Sequence, residues 1–234
     1  MGSAATNQDF EFAALSQAEN YRAALVREFK PLLRGRILEV GAGVGQITAV
    51  LAQQPEVEHV LAVEPEKKFI DAFQAHSPKV KLLHGTADLV ESKDWNAIIS
   101  INVLEHIEQH ERELRRYREL LAQERGHLCL FVPARMEIYA PIDRDFGHFR
   151  RYRKPQLRAK LKEAGFEIVR LNYFNFIGYF AWGVNFRLLG KRSFDVQAVR
   201  WFDRVIFPMG HACERNILRP PIGQSLLAVA RACN

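Results

Sequence analysis

RILEVGAGVG, residues 36–45, is the stretch on which the fold of this chain turns. Arg36 to Val40 is a short, mostly apolar strand. It runs into Gly41-Ala42-Gly43-Val44-Gly45, and a helix is predicted to follow from Gln46 to about Gln53. Glycine tolerates positive φ and lets a ligand approach the backbone closely. The helix N-terminus adds free N–H groups and a positive potential. A strand, a glycine loop and a helix in that order make a nucleotide-like site. The spacing is GxGxG, whereas the dinucleotide fingerprint is GxGxxG, which counts against NAD or FAD.

The pattern continues on both sides of the loop. Asn20–Lys30 is predicted helical, with Tyr21, Leu25 and Phe29 on one face, and Pro31 ends it. Strands are expected at Val57–Val63, Val80–His84, Ala97–Ile101 and His127–Val132. Helices are expected at Glu66–His76 and Glu111–Glu124, then from Pro155 to Ala164. Glu167–Leu171 and Ser225–Ala230 supply two last strands. Strands alternating with helices imply βαβ crossovers and a mostly parallel sheet covered on both faces. The expected fold is therefore α/β, doubly wound and Rossmann-like, in a single domain over residues 1–234. More than 50 residues separate the last two strands, too many for a plain loop. Residues 172–224 are expected to form a helical, aromatic and basic insertion that caps the acceptor site.

Three carboxylates frame the loop. Glu39 lies one residue before it, inside the strand, where a carboxylate suits a cationic amine. Glu64 ends the second strand about 20 residues on, where it can accept both hydroxyls of a ribose. Asp88 follows the third strand and can accept from the exocyclic amine of a base. An amine, a ribose diol and an aminopurine in one ligand would satisfy all three. No Lys or Arg sits in the loop, so no phosphate is demanded.

With LEVGAGVG (38–45), AVEP (62–65), GTAD (85–88) and SINVLEHI (100–107), the chain resembles the class I S-adenosylmethionine-dependent methyltransferases. It is similar in type to bacterial small-molecule members such as the ubiquinone and menaquinone methyltransferases. The resemblance covers about residues 20–170 and the last strand. It implies a seven-stranded sheet whose last strand is antiparallel. It implies S-adenosyl-L-methionine as cofactor, with S-adenosyl-L-homocysteine as product. Glu39, Gly41, Ala42, Gly43 and Gly45 would hold the methionine part, and Glu64 with Pro65 the ribose. Ala87 and Asp88 would take the adenine, Asn102 and Val103 the other side, and Tyr21 is placed with this group. One departure is Trp95-Asn96, where relatives carry an aromatic residue and then Asp.

Methyl transfer from a sulfonium relies on in-line placement of the acceptor, and proximity can supply much of the rate. A base helps where the acceptor must lose a proton. His148 and His106 are the candidate bases. His148 lies in DRDFGHFRRYR (143–153), after the fifth strand, where the resembled family places acceptor-binding elements. Arg150 and Arg151 could bind a carboxylate or phosphate in bidentate fashion, or the loop could be ordered by Asp143 and Asp145 pairing with its arginines. Arg135, Tyr139, Asp143 and Tyr152 complete the polar candidates. In the insertion, LNYFNFIGYFAWGVNF (171–186) has no charge, and Phe176, Phe180 and Val184 form one helical stripe expected to roof a hydrophobic acceptor.

Composition fits this reading and narrows it. Apolar residues are 48% and charged residues 26% of 234, ordinary globular values that exclude a disordered or multi-span chain. The net charge of +6 is uneven. Residues 1–134 hold 15 Lys and Arg against 19 Asp and Glu, and residues 135–234 hold 18 against 8. The basic half should attract anions. A small hydrophobic acceptor, anionic or neutral, is favoured, with O-methylation ahead of N- and C-methylation, which stay open; weak association with a membrane surface is also compatible. A non-catalytic S-adenosylmethionine-binding sensor or partner subunit is one alternative. A nucleic-acid methyltransferase is another, but no base-gripping tetrad or RNA-binding module is present, so no nucleic acid is expected. Cys129, Cys213 and Cys233 form no CxxC, and with no secretory leader pattern they point to the cytoplasm. Residues 1–6 (MGSAAT) fit the N-myristoylation pattern only in form. No cluster of metal ligands stands out.

Overall fold

The structure is a computed structural model that describes residues 17–121, 126–216 and 220–233. The N-myristoylation pattern and the end of the expected helix Glu111–Glu124 lie outside the described residues. One seven-stranded sheet organises the chain, in the order β3-β2-β1-β4-β5-β7-β6. The strands are β1 Gly35–Val40, β2 Val57–Glu64, β3 Val80–His84, β4 Ala97–Ile101, β5 His127–Pro133, β6 Phe166–Phe174 and β7 Ser225–Ala232. β1 pairs in parallel with both β2 and β4, Ile37 lying opposite Val60 on one side and Ala97 on the other. The order of strands reverses beside β1, which opens a crevice at the carboxyl ends where α/β sheets bind ligands. β7 runs antiparallel to both its neighbours, β5 and β6.

Alternation along β1 builds two cores. Ile37 faces one side, with Leu25, Phe29, Leu51 and Phe131. Leu38 and Val40 face the other, with Leu114, Tyr117, Leu157 and Leu161. The helices that cover them are α1 Glu19–Phe29 and α2 Gln46–Ala52 on the first side, and α4 His110–Leu120 and α6 Lys154–Glu163 on the second. Two further short helices, α3 Lys67–Asp71 and α5 Pro141–Asp145, lie near the carboxyl ends of the strands. The Trp95-Asn96 departure is structural. The Asn96 side chain accepts from the Arg36 N–H at 2.7 Å, pinning β1 beside β4.

Two expectations are corrected. The helix expected over Glu66–His76 stops at Asp71. The chain turns there because Phe73 and Ala75 pack against Gly45, and the Gln74 N–H donates to Val44 O at 3.0 Å. β6 runs on to Phe174, three residues into the expected insertion, because Asn172 to Phe174 pair with Leu227 to Ser225. Beyond β6 the insertion is helical. α7 Phe176–Trp182 continues into π-helical Gly183–Leu188. α8 Val196–Trp201 continues through π-helical Phe202–Ile206 into α9 Phe207–Asn216. Among the described residues, no helix is long and apolar enough to cross a membrane.

Candidate active site

The glycine loop adopts the geometry its composition allows. Gly41, Gly43 and Gly45 have φ of 76°, 55° and 88°. A Cβ on Gly41 would stand 2.3 Å from Val103 Cγ2, so only glycine lets the loop pass β4. Glu64 holds the loop. Its Oε2 accepts from the Gly43 N–H at 2.8 Å, and its Oε1 accepts from the Glu66 N–H at 2.9 Å. Burial pushes its carboxyl above the ordinary value.

A cavity of about 520 Å³ opens over this loop. It brings together Tyr21, Glu39, Gly41, Ala42, Glu64 and Pro65, and also Ala87, Asp88, Asn102 and Val103. Gly43 and Gly45 do not line it. Gly43 spends its N–H on Glu64, and Gly45 sits left-handed at the start of α2. Asp88 lies at the exposed edge and pairs with Arg112 at 3.1 Å. His106 also lines this cavity, and burial, together with the neighbouring His148, pushes it down to about 4.

Glu39 is fully enclosed, and burial pushes it up to about 8, although the Thr48 hydroxyl donates to its Oε2 at 2.6 Å. Between the ordinary carboxylate value and 8, the native state therefore binds more protons than the unfolded state. Stability falls as pH rises through that window. A cationic amine arriving beside Glu39 favours the charged form and expels the proton. Calorimetric titration with S-adenosylmethionine at pH 7 should release close to one proton, read from buffers of different ionisation enthalpy. Near pH 9.5, or in Glu39→Gln, the release should vanish. Release undiminished in Glu39→Gln would assign the proton elsewhere.

A second cavity, of about 760 Å³, lies under the helical insertion. Tyr21 and Asn102 line both cavities. Asn102 takes left-handed φ of 53° at the exit of β4, which turns the chain between them. The floor carries Glu105, His148 and Arg151; the walls carry Asn175, Gly178, Ala181, Trp182, Phe186, Phe194 and Phe202. Asp143, fully buried, organises the floor. Its Oδ1 accepts from Arg151 Nε at 2.8 Å and faces His148 Nδ1 at 3.1 Å, while its Oδ2 accepts from the Ala140 N–H at 2.8 Å. Burial acts to raise this carboxyl, but the His148 contact and the Arg151 charge hold it below its ordinary value. With Nδ1 turned to a carboxylate, His148 directs Nε2 away from it, and that atom has no hydrogen-bond partner among the described residues.

Several expected acceptor residues serve the scaffold instead. Arg151 lines the second cavity, but its guanidinium is used on Asp143, on Ala134 O at 3.2 Å and on the Trp182 ring 4.4 Å away. Arg150 donates to Ile107 O and Glu108 O. The Tyr152 hydroxyl meets His110 Nδ1 at 2.6 Å and Leu104 O at 3.2 Å. Tyr139 donates to His148 O at 2.8 Å, and Arg135 pairs with Glu137 at 2.5 Å. Phe176 and Phe180 pack on each other outside both cavities, and Phe180 is half exposed. The stripe is real but faces outward; the roof is the opposite face of the helix, Gly178, Ala181, Trp182, Asn185 and Phe186. Sequence reading missed Trp182, Phe186 and Glu105. The 178-181/182-185/186 spacing was the available signal for the first two, and adjacency to His106 for the third.

The sheet order, the glycine loop and the carboxylate-edged crevice define a class I S-adenosylmethionine-dependent methyltransferase. The chain belongs to the methyltransferase-domain family, whose sequence model matches residues 14–171. S-adenosyl-L-methionine is its cofactor. Solved structures share the fold at low identity. A chain of the Haloferax volcanii complex between the Trm112 methyltransferase activator and a methyltransferase is 12% identical, with TM-score 0.64, covering 99% of this chain and 100% of that one. A SAM-dependent methyltransferase from Archaeoglobus fulgidus is 16% identical, with TM-score 0.58, covering 91% and 93%. A TehB-like SAM-dependent methyltransferase from Corynebacterium glutamicum is 18% identical, with TM-score 0.54, covering 90% and 86%. No curated protein matches the chain.

Proposed function

We propose that the first cavity holds S-adenosylmethionine and that the second holds a small hydrophobic acceptor, methylated on oxygen. The observation that carries this reading is the pair of cavities meeting at Tyr21 and Asn102. Glu39 would take the ammonium, Glu64 the ribose diol and Asp88 the adenine amine. The reacting oxygen would approach the sulfonium methyl past Asn102, and transfer would be an in-line displacement favoured by proximity. Aromatic walls suit a flat, apolar acceptor, and Lys191 and Arg192 on the lining suit an acidic one, although Arg192 is already paired with Asp145. His148 offers a basic nitrogen on the acceptor side. The outward stripe of Phe180, Val184 and Leu188, with Arg187 beside it, is the surface on which any weak membrane association would rest.

Thermal melts with S-adenosylmethionine, S-adenosylhomocysteine and NAD test the first half. A ligand at about 100 times its Kd adds roughly 2.7 kcal/mol, a rise of roughly 5–10 °C for a chain of this size. Both adenosyl compounds should give it and NAD should not. Transfer of labelled methyl to a panel of hydrophobic phenols and aromatic acids tests the second half. Cofactor binding with no turnover on any acceptor would favour the sensor or partner-subunit reading. A protein activator, as in the Haloferax volcanii complex, would then be the partner to add.

A further inference from the structure

Where the two cavities meet, three side chains of metal-ligating chemistry converge. Glu105, His106 and His148 each bring one ligand atom, and these atoms all lie within 4.8 Å of one another. Glu105 and His106 are adjacent at the exit of β4, while His148 arrives from the loop after α5, so the fold and not the local sequence assembles the group. The sequence reading found no ligand cluster because His148 stands 42 residues away from His106. The rings of His106 and His148 meet edge to face at 4.7 Å. Glu105 is fully buried and His148 nearly so.

We propose that Glu105, His106 and His148 form a binding site for one divalent first-row transition cation. Two imidazoles and a carboxylate suit zinc, cobalt, manganese or ferrous iron, and three protein ligands leave coordination positions open. Three features of the structure favour a cation here. His148 Nε2 is buried with no partner among the described residues, an arrangement that costs stability unless something binds it. Its other ring nitrogen faces the Asp143 carboxylate, the outer partner that metal-bound histidines typically have. Glu105, which also lies in the field of the Arg151 charge, brings a carboxylate oxygen to the same point as the two imidazoles.

The place of the site gives the cation a task, and this part rests on the two-cavity reading above. His106 lines the cofactor cavity, while Glu105 and His148 line the acceptor cavity. An acceptor hydroxyl bound at an open position would lose its proton to solvent more readily, as water on zinc does. The oxygen lone pair would then form the bond to the methyl carbon as the carbon–sulfur bond breaks. The products are the methyl ether, S-adenosylhomocysteine and one proton. The lone pair of His148 is then used on the cation, and the acceptor class narrows to molecules that present oxygen to a metal: phenols, catechols or hydroxy acids.

The test uses the tag-free full chain, stripped with chelator and dialysed separately against Zn²⁺, Co²⁺ and Mn²⁺. Bound metal is measured by elemental analysis, and Co²⁺ by its visible spectrum. At least one of these ions should bind at one equivalent per chain. Binding should weaken at least 100-fold in His148→Ala and in Glu105→Gln, and roughly 10–100-fold in Asp143→Asn. Thermal melts confirm that each variant folds. Wild-type protein that retains none of the three ions overturns the proposal, whatever the variants do. So does binding that is unchanged in a folded His148→Ala, which would place the metal elsewhere. Titration with S-adenosylhomocysteine in the same samples separates the two ideas. Cofactor binding without metal leaves the methyltransferase reading intact, and metal binding without cofactor leaves the metal site intact.

Discussion

Glu64→Ala should weaken S-adenosylhomocysteine binding by roughly 10²–10⁴-fold. A hydrogen bond to a charged group contributes about 1.5–3 kcal/mol, and the two ribose hydroxyls would both lose their acceptor. At 1.4 kcal/mol per factor of ten, two such bonds give that range. The structure adds a second cost. Glu64 also accepts from the Gly43 and Glu66 N–H groups, so its removal frees the loop that shapes the cavity. Glu64→Gln should fall between, because an amide keeps one oxygen but turns an NH₂ toward an N–H. Asp88→Ala is the contrast. Its carboxylate is half exposed and already paired with Arg112, so the loss should stay within about tenfold. Calorimetric titration measures all three, with a melt to show that each folds. Equal, unchanged affinity in Glu64→Ala would remove the glycine-loop cavity as the cofactor site.

Arg151→Ala should cost about 3–5 kcal/mol of stability, the usual result of removing one partner from a buried ion pair. Arg151 is 3% exposed, and Asp143 beneath it is completely buried. Without the guanidinium, Asp143 keeps only His148 and one backbone N–H, and Ala134 O and the Trp182 ring lose their contact. For a chain of this length the melting temperature should fall by roughly 6–20 °C. Arg151→Lys should lie between, since an ammonium cannot match the planar fork. A substrate-binding arginine would behave differently: its loss would raise KM with little change in melting. A melting temperature within about 2 °C of wild type, less than the shift for 1 kcal/mol, would therefore restore Arg151 to the acceptor.

Arg151 also marks the limit of sequence reading. Its type and place left two anions open, an acceptor's or the loop's own Asp143 and Asp145, and the fold shows Arg151 paired with Asp143, eight residues away. By contrast, β1 to β5 and the glycine loop were legible because apolar runs and positive-φ glycines are local signals. The helix expected to reach His76 failed where a tertiary contact won: Phe73 and Ala75 are needed against Gly45. In the insertion, the periodicity correctly gave a stripe of Phe176, Phe180 and Val184. Periodicity does not say which face meets the protein, and here the face with Gly178 and Trp182 does. Two π-helical segments, at 183–188 and 202–206, further shift the register that a 3.6-residue period assumes.

The antiparallel placement of β7 sets an order on folding. Among the described residues β6 has no sheet neighbour except β7, and β7 lies between β5 and β6. A ribosome making this chain emits β6 and the whole helical insertion before the strand that ties them to the sheet. The half built on β1 to β5 can begin to pack early, because its parallel pairings are complete by residue 133. Until residues 225–232 emerge, β6 lacks the strand it pairs with, and the helical insertion is held to the rest of the molecule by contacts such as those of Asp203 with Asn20 and Tyr21. The helical insertion over the second cavity is therefore the last part to be joined to the sheet. A nascent chain would hold the strands and glycine loop of the first cavity before β7 completes the second.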